Sequence, residues 1–201
     1  MYIDFKNVSS NSDVSNYSRD LDLNTAIAGV NYDKGSTHYS RENFTSYPDN
    51  VIVTHITADG SEKISLDVSV EPDNTSGGAA NSIGENGYKR TWNTTVSGGR
   101  ISVNGQLTDN QMKFSSQTQV ITDNGGTVTD GDGKVSVSGA SEVTIITSMG
   151  TDYKDEYPSY RTGETADELT NRVKWDVDPA EVKTYEEMKA NHVSDNQNIF
   201  N

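Results

Sequence analysis

The sequence predicts a mainly β fold, an antiparallel two-sheet β-sandwich with a C-terminal helical linker, and three observations carry that reading. Apolar and polar residues alternate with period two through most of residues 1–150. Short clusters of Gly, Asn, Asp and Ser punctuate those runs as hairpin turns would. Beyond Thr165 the apolar spacing changes to three and four residues, the period of a helix. Residues 1–152 are therefore assigned to the sandwich and 153–201 to a connector and linker helices.

Each element follows from its own pattern. Leu21 and Leu23 alternate with Asp20, Asp22 and Asn24, and Ala26, Ala28 and Val30 alternate with Ile27, Gly29 and Asn31. Asp33-Lys34-Gly35 breaks the alternation as a hairpin turn, after which Tyr39, Arg41 and Asn43 alternate with Ser40, Glu42 and Phe44. Ile64, Leu66, Val68 and Val70 mark one face of the next strand. Glu71 to Tyr88 has no period and is rich in Gly, Asn and Ser, which predicts a long surface loop. Arg100 to Gln106, and then Met112, Phe114, Thr118 and Val120, restore the β pattern. Asp130-Gly-Asp-Gly133 is a tight turn before Val135 and Val137. Val143 to Thr147 is apolar on both faces and should lie centrally in a sheet. Thr165-Ala-Asp-Glu168 is a capping box that opens a helix through about Val177. Asp178-Pro179 reads as a second helix start, with Pro at the first helical position. Thr184 opens a third helix, on which Tyr185, Met188, His192, Asp195 and Ile199 form a stripe expected to fold back onto the sandwich.

Several residues of this pattern also carry a resemblance. Arg19, Leu21-Asp-Leu23, Ala26, Tyr32, Gly35, Tyr39, Arg41-Glu42, Phe44, Ser46, Pro48-Asp49 and Val51 resemble the N-terminal β-sandwich (supersandwich) domain of glycoside hydrolase family 95, mainly bacterial α-L-fucosidases. Gln119 to Val128, Ala140 to Thr147 and Tyr185 to Phe200 continue the likeness in weaker form. The resemblance implies a secreted or cell-surface bacterial glycoside hydrolase that removes terminal α-L-fucosyl or α-L-galactosyl groups with inversion. It implies that the acid, a Glu, and the Asn-positioned water sit in a helical barrel, of which no segment here has the motifs. The chain is therefore expected to be a fragment, truncated at its start, inactive alone and partnered by its own catalytic barrel. The alternative is a free-standing module on a bacterial surface protein that binds fucosylated or galactosylated glycans.

Composition limits the partners. Sixteen Lys and Arg against 30 Asp and Glu give a net charge of −14, which repels nucleic acid and anionic membrane surfaces. Cysteine is absent, so no disulfide or thiolate metal site can form, and no apolar run reaches the roughly 18 residues of a membrane helix. His38, His55 and His192 lack metal-ligand spacing, and Lys134 and Ser141 stand where a calcium loop starting at Asp130 needs carboxylates, so no cofactor is expected. His192 and Asp195 are one helical turn apart, and a contact that orients the helix is the preferred reading. Arg41 and Glu42 face opposite sides of their strand, with Arg19 and Asp22 as candidate ion-pair partners. Trp92 and Tyr88 flank the long loop and are the candidate carbohydrate-binding residues, although core packing is the favoured role of Trp92. Trp175 is assigned to an interface and no residue to catalysis.

Overall fold

The computed structural model describes residues 1–6, 14–72, 82–83, 88–123 and 125–200. Among them run β1 (Tyr2–Phe5), β2 (Val14–Asp22), β3 (Ile27–Lys34), β4 (Thr37–Ser46), β5 (Val51–Asp59), β6 (Ile64–Ser69) and β7 (Ser82–Ile83). They are followed by β8 (Tyr88–Ser97), β9 (Arg100–Leu107), β10 (Lys113–Thr122), β11 (Thr127–Asp130), β12 (Lys134–Ala140) and β13 (Glu142–Thr151). Two helices close the chain, α1 (Ala166–Glu181) and α2 (Tyr185–Phe200). The long loop expected after Glu71 falls largely outside the described residues.

Every pairing is antiparallel, and the strands make the predicted sandwich. The small sheet has the order β1-β6-β12-β11 and the large one β2-β3-β4-β5-β13-β10-β9-β8-β7. β13, the strand apolar on both faces, lies between β5 and β10, with Ile145 opposite Thr54 on one side and Val120 on the other. Alternation then sorts its residues. Val143 and Ile145 point to the small sheet and join Leu66, Val68, Val135 and Val137 in the main core. Ile146 points the opposite way, with Phe44, Val51 and Val53, and packs beneath Val177, Ala180 and Met188 of the helices. At β13 the large sheet is thus buried on both faces, which explains a continuous apolar run in an antiparallel setting. β2 lies at its edge with Leu21 exposed, and Leu23 is exposed in the turn that follows, so there the alternation marks a strand without marking a core.

The helical segment departs from expectation in two places. Thr165 caps α1 through the predicted capping box, but α1 runs through Asp178-Pro179 to Glu181 as one helix. Pro179 removes a single hydrogen bond, to the carbonyl of Trp175, whose residue faces solvent, so water can replace the lost donor. α2 folds back on the large sheet as expected, with Met188 and His192 buried, but Ile199 is 75% exposed and the buried stripe stops before it.

Gly105 shows how tightly β8 and β10 close on β9. A Cβ there would meet the Thr91 carbonyl oxygen at 2.3 Å and the Phe114 ring at 2.5 Å. Gly105→Ala should lower stability by about 1–3 kcal/mol, read as a lower urea midpoint at unchanged slope.

Candidate functional site

Because the helices cover only part of the large sheet, its outer face carries the chemistry not used by the core. Beneath α2 the sheet presents Glu42 from β4, His55 from β5 and Thr144 from β13. The Tyr185 ring stacks on His55 with centroids 3.6 Å apart and planes 5° from parallel. The Tyr185 hydroxyl donates to Glu42, and Lys189 donates to the same carboxylate at 2.7 Å while lying 5.5 Å from the centre of the Tyr185 ring. His55 Nδ1 pairs with the Thr144 hydroxyl at 3.0 Å. Burial works against ionisation of Glu42, yet the bonds from Lys189 and Tyr185 outweigh it and hold its carboxyl below the ordinary range. Burial, reinforced by the bond to Glu42, raises the Tyr185 phenol far above its usual value. One turn on, His192 stacks on Phe44 at 4.7 Å and its Nε2 donates to the Ala26 carbonyl at 3.3 Å. His192 therefore orients the helix, but through Ala26 and Phe44 rather than through Asp195. The partner of Glu42 is the helix and not Arg19, while Asp22 binds the Asn24 amide and the Thr25 hydroxyl in its own turn.

Beneath α1 the same face is polar. Arg100 of β9 reaches across to Asp178 at 2.5 Å and Glu181 at 2.6 Å, and its Nε donates to Gln119 at 2.9 Å. Ser102 donates to Gln117, and Ser148 donates to Asp176 on the helix. Arg100, Ser102, Gln117, Gln119, Asp178 and Glu181 line an open groove of about 600 Å³ between α1 and strands β8 to β10. Its charged and hydroxyl groups are largely spent on one another, the arrangement of a helix seat. At the α1–α2 junction Lys183 pairs with buried Asp49, whose carboxyl also accepts from Ser46 at 2.6 Å. Burial opposes the charge on Asp49, but the bonds from Lys183 and Ser46 keep its pKa low.

Trp92 is half-buried on the opposite face of β8, packed against the main core, so its ring serves the sandwich. Tyr88 begins β8, and its side chain lies outside the described residues. Asp130 accepts the amides of Gly98 at 2.7 Å and Gly99 at 2.8 Å, which fixes the β8–β9 turn and uses the carboxylate that a calcium loop would need. No group of three or more metal-ligating residues comes together among the described residues, and no helix of the described residues is long and apolar enough to cross a membrane.

Sheet, helices and inward-facing polar seat together define a sandwich built to carry helices. The chain belongs to the glycosyl hydrolase family 65 N-terminal domain family, whose model matches residues 1–156. It is 29% identical over 197 residues to alpha-L-fucosidase 2 of Arabidopsis thaliana, an alignment covering 93% of this chain and 23% of that protein. It is also 29% identical over 195 residues to probable alpha-fucosidase A of Aspergillus niger, covering 94% of this chain and 23% of that one. A putative kojibiose phosphorylase from the human microbiome shares the fold, with a TM-score of 0.69 at 9% identity over 96% of this chain and 27% of its own. The chain thus spans under a quarter of the length of both fucosidase relatives.

The Arg100 tie can be tested directly. Arg100→Leu removes the strand cation from Asp178 and Glu181 and leaves Asp178 only Lys174 of its own helix at 4.0 Å, so α1 should lose about 1–3 kcal/mol of its hold on the sheet. Hydrogen exchange across 169–181 should rise while β6 and β12 keep their protection.

Proposed function

We propose that this chain is the non-catalytic N-terminal domain of an α-L-fucosidase-like glycoside hydrolase of the family 95 type, and that it supports a separate catalytic barrel. One observation carries the reading: nearly the whole chain aligns with less than a quarter of an alpha-L-fucosidase and of a probable alpha-fucosidase. The rest of such a protein has the size to hold the chemistry, and the polar cluster on this sheet is occupied in seating helices. The parent enzyme would hydrolyse terminal α-L-fucosyl or α-L-galactosyl linkages with inversion, using a water and a carboxylic acid outside this chain.

The partner surface in this reading is the outward side of the helices. α1 buries Leu169, Val173, Val177 and Ala180, yet turns Trp175, 71% exposed, away from the sheet, and Val182 at its C-cap is 81% exposed. An exposed Trp on the helix and an exposed Val at its C-cap suit burial under a further layer. A barrel packed on α1 would cover them. The glycan then contacts the barrel.

Two outcomes are expected. The 201-residue chain should release no fucose from fucosylated oligosaccharides or aryl α-L-fucosides, whereas the same chain continued through a following helical barrel should turn them over. Turnover by the chain alone would overturn the proposal. Trp175→Ser should shift the stability of this chain by no more than about 0.5 kcal/mol, as expected of an exposed side chain. In the extended protein the same substitution should lower the melting temperature, because there the ring is covered.

A further inference from the structure

The cluster beneath α2 holds one group whose charge the docked helix cannot accommodate. We propose that His55 is an acid-sensitive latch: while the imidazole is neutral α2 stays seated on β4 and β5, and protonation releases the helix from a sandwich that remains folded. The inference stands on the packing of α2 and is independent of which reaction the parent protein performs.

The geometry supplies the asymmetry. His55 is 7% exposed, one ring face is covered by Tyr185, and Nδ1 is matched to the Thr144 hydroxyl. A cation at this ring would need a free carboxylate. Glu42 is already engaged by the Tyr185 hydroxyl and by the Lys189 ammonium, so a second positive charge would sit beside Lys189 with its counter-ion in use. Glu142 of β13 lies 3.8 Å from Nε2, within ion-pair range but beyond hydrogen-bond reach, and at 49% exposure its carboxylate is screened by solvent and offers a charged ring only a weak counter-ion. The remaining charged groups around the ring are Glu186 on α2, and Glu181, Lys183 and Asp123, which border the cleft beside Thr144 and Tyr185. None of them bonds the imidazole among the described residues. When α2 lifts, Tyr185 leaves with it and the imidazolium can hydrate. Protonation therefore favours the released state.

The direction with pH follows. Burial pushes His55 down from 6.5 to about 4, with Glu42 opposing that shift and Lys189 reinforcing it. A group whose docked pKa is depressed favours docking fully above the free value and loses that contribution as pH falls between the two. The contribution of neutral His55 to docking therefore starts to fall below 6.5 and is fully lost near 4, where both states bind the proton. Glu42 and Asp49, held low in the docked state, act in the same direction only at lower pH. His192 is not the latch, because its Nε2 donates to the Ala26 carbonyl whether or not the ring is charged.

Hydrogen exchange of the backbone amides of 185–199, corrected for the intrinsic rate at each pH, reads the docking constant. Protection of α2 should fall on the order of tenfold between pH 7 and pH 5, while β6 and β13 keep theirs. His55→Gln, which can still pair with Thr144 but cannot charge in this range, should make α2 protection flat over the same interval. Constant protection in the unmodified chain, the same fall in His55→Gln, or loss of β6 and β13 together with α2 would each overturn the proposal. Independently of how the variant folds, the His55 ring resonances of the unmodified chain should titrate below about pH 5, and a midpoint near 6.5 would also overturn it.

Discussion

The large sheet must bury two faces, and the rest of the structure answers that requirement. β13 sets it, because Val143 and Ile145 require one apolar layer and Ile146 requires another. The small sheet satisfies the first through Leu66, Val68, Val135 and Val137. Only the helices satisfy the second, so α1 and α2 complete the sandwich. Four well-buried large side chains are worth roughly 1.5–3 kcal/mol each, enough to draw the chain back across the connector after β13.

That division decides which parts of the fold a reader could extract from the sequence. Period-two patterning located the strands of the main core, since residues such as Val135 and Val137 show inside and outside within a few positions. The two-faced run at Val143 announced its central place by the same local logic. The capping box at Thr165 was legible because both its partners lie within one turn. Asp178-Pro179 misled for a related reason: a Pro near a helix end looks like a Pro at a helix start until the solvent side of the preceding turn is known. Ile199 continued a stripe whose floor had already ended, and no helical period can report where a sheet stops.

The ties that seat the helices were illegible for a different reason. Tyr185 and Glu42 are 143 residues apart in sequence, and Arg100 and Glu181 are 81 apart. In a chain with 30 acidic residues each cation has many candidate partners, and nothing local selects one. Arg41-Glu42 did announce that two charges face opposite sides of β4, which confined Glu42 to one face. Naming Lys189 as its partner required knowing that α2 folds onto that face. The comparison with known proteins identified the class of domain for the complementary reason, because it weighs many weak positions together where a physical argument must use a few strong ones.

An acidic chain that seats its helices with Lys189, Lys183 and Arg100 spends part of a small stock of cations on internal contacts, 16 Lys and Arg in all. The Lys189 and Arg100 contacts lie between the sheet and the inward sides of α2 and α1, and the Lys183 contact pins the junction of the two helices to the β4–β5 turn. The outward side of α1 keeps Trp175, and Val182 is exposed at its C-cap. The fold therefore separates two jobs on one pair of helices, electrostatic registration inward and apolar contact outward. Such a helix layer can be positioned by the sandwich first and covered by another body second. That order also explains why buried polar groups are tolerated beneath it: each one fixes the angle of a helix that a purely apolar seat would leave free to slide.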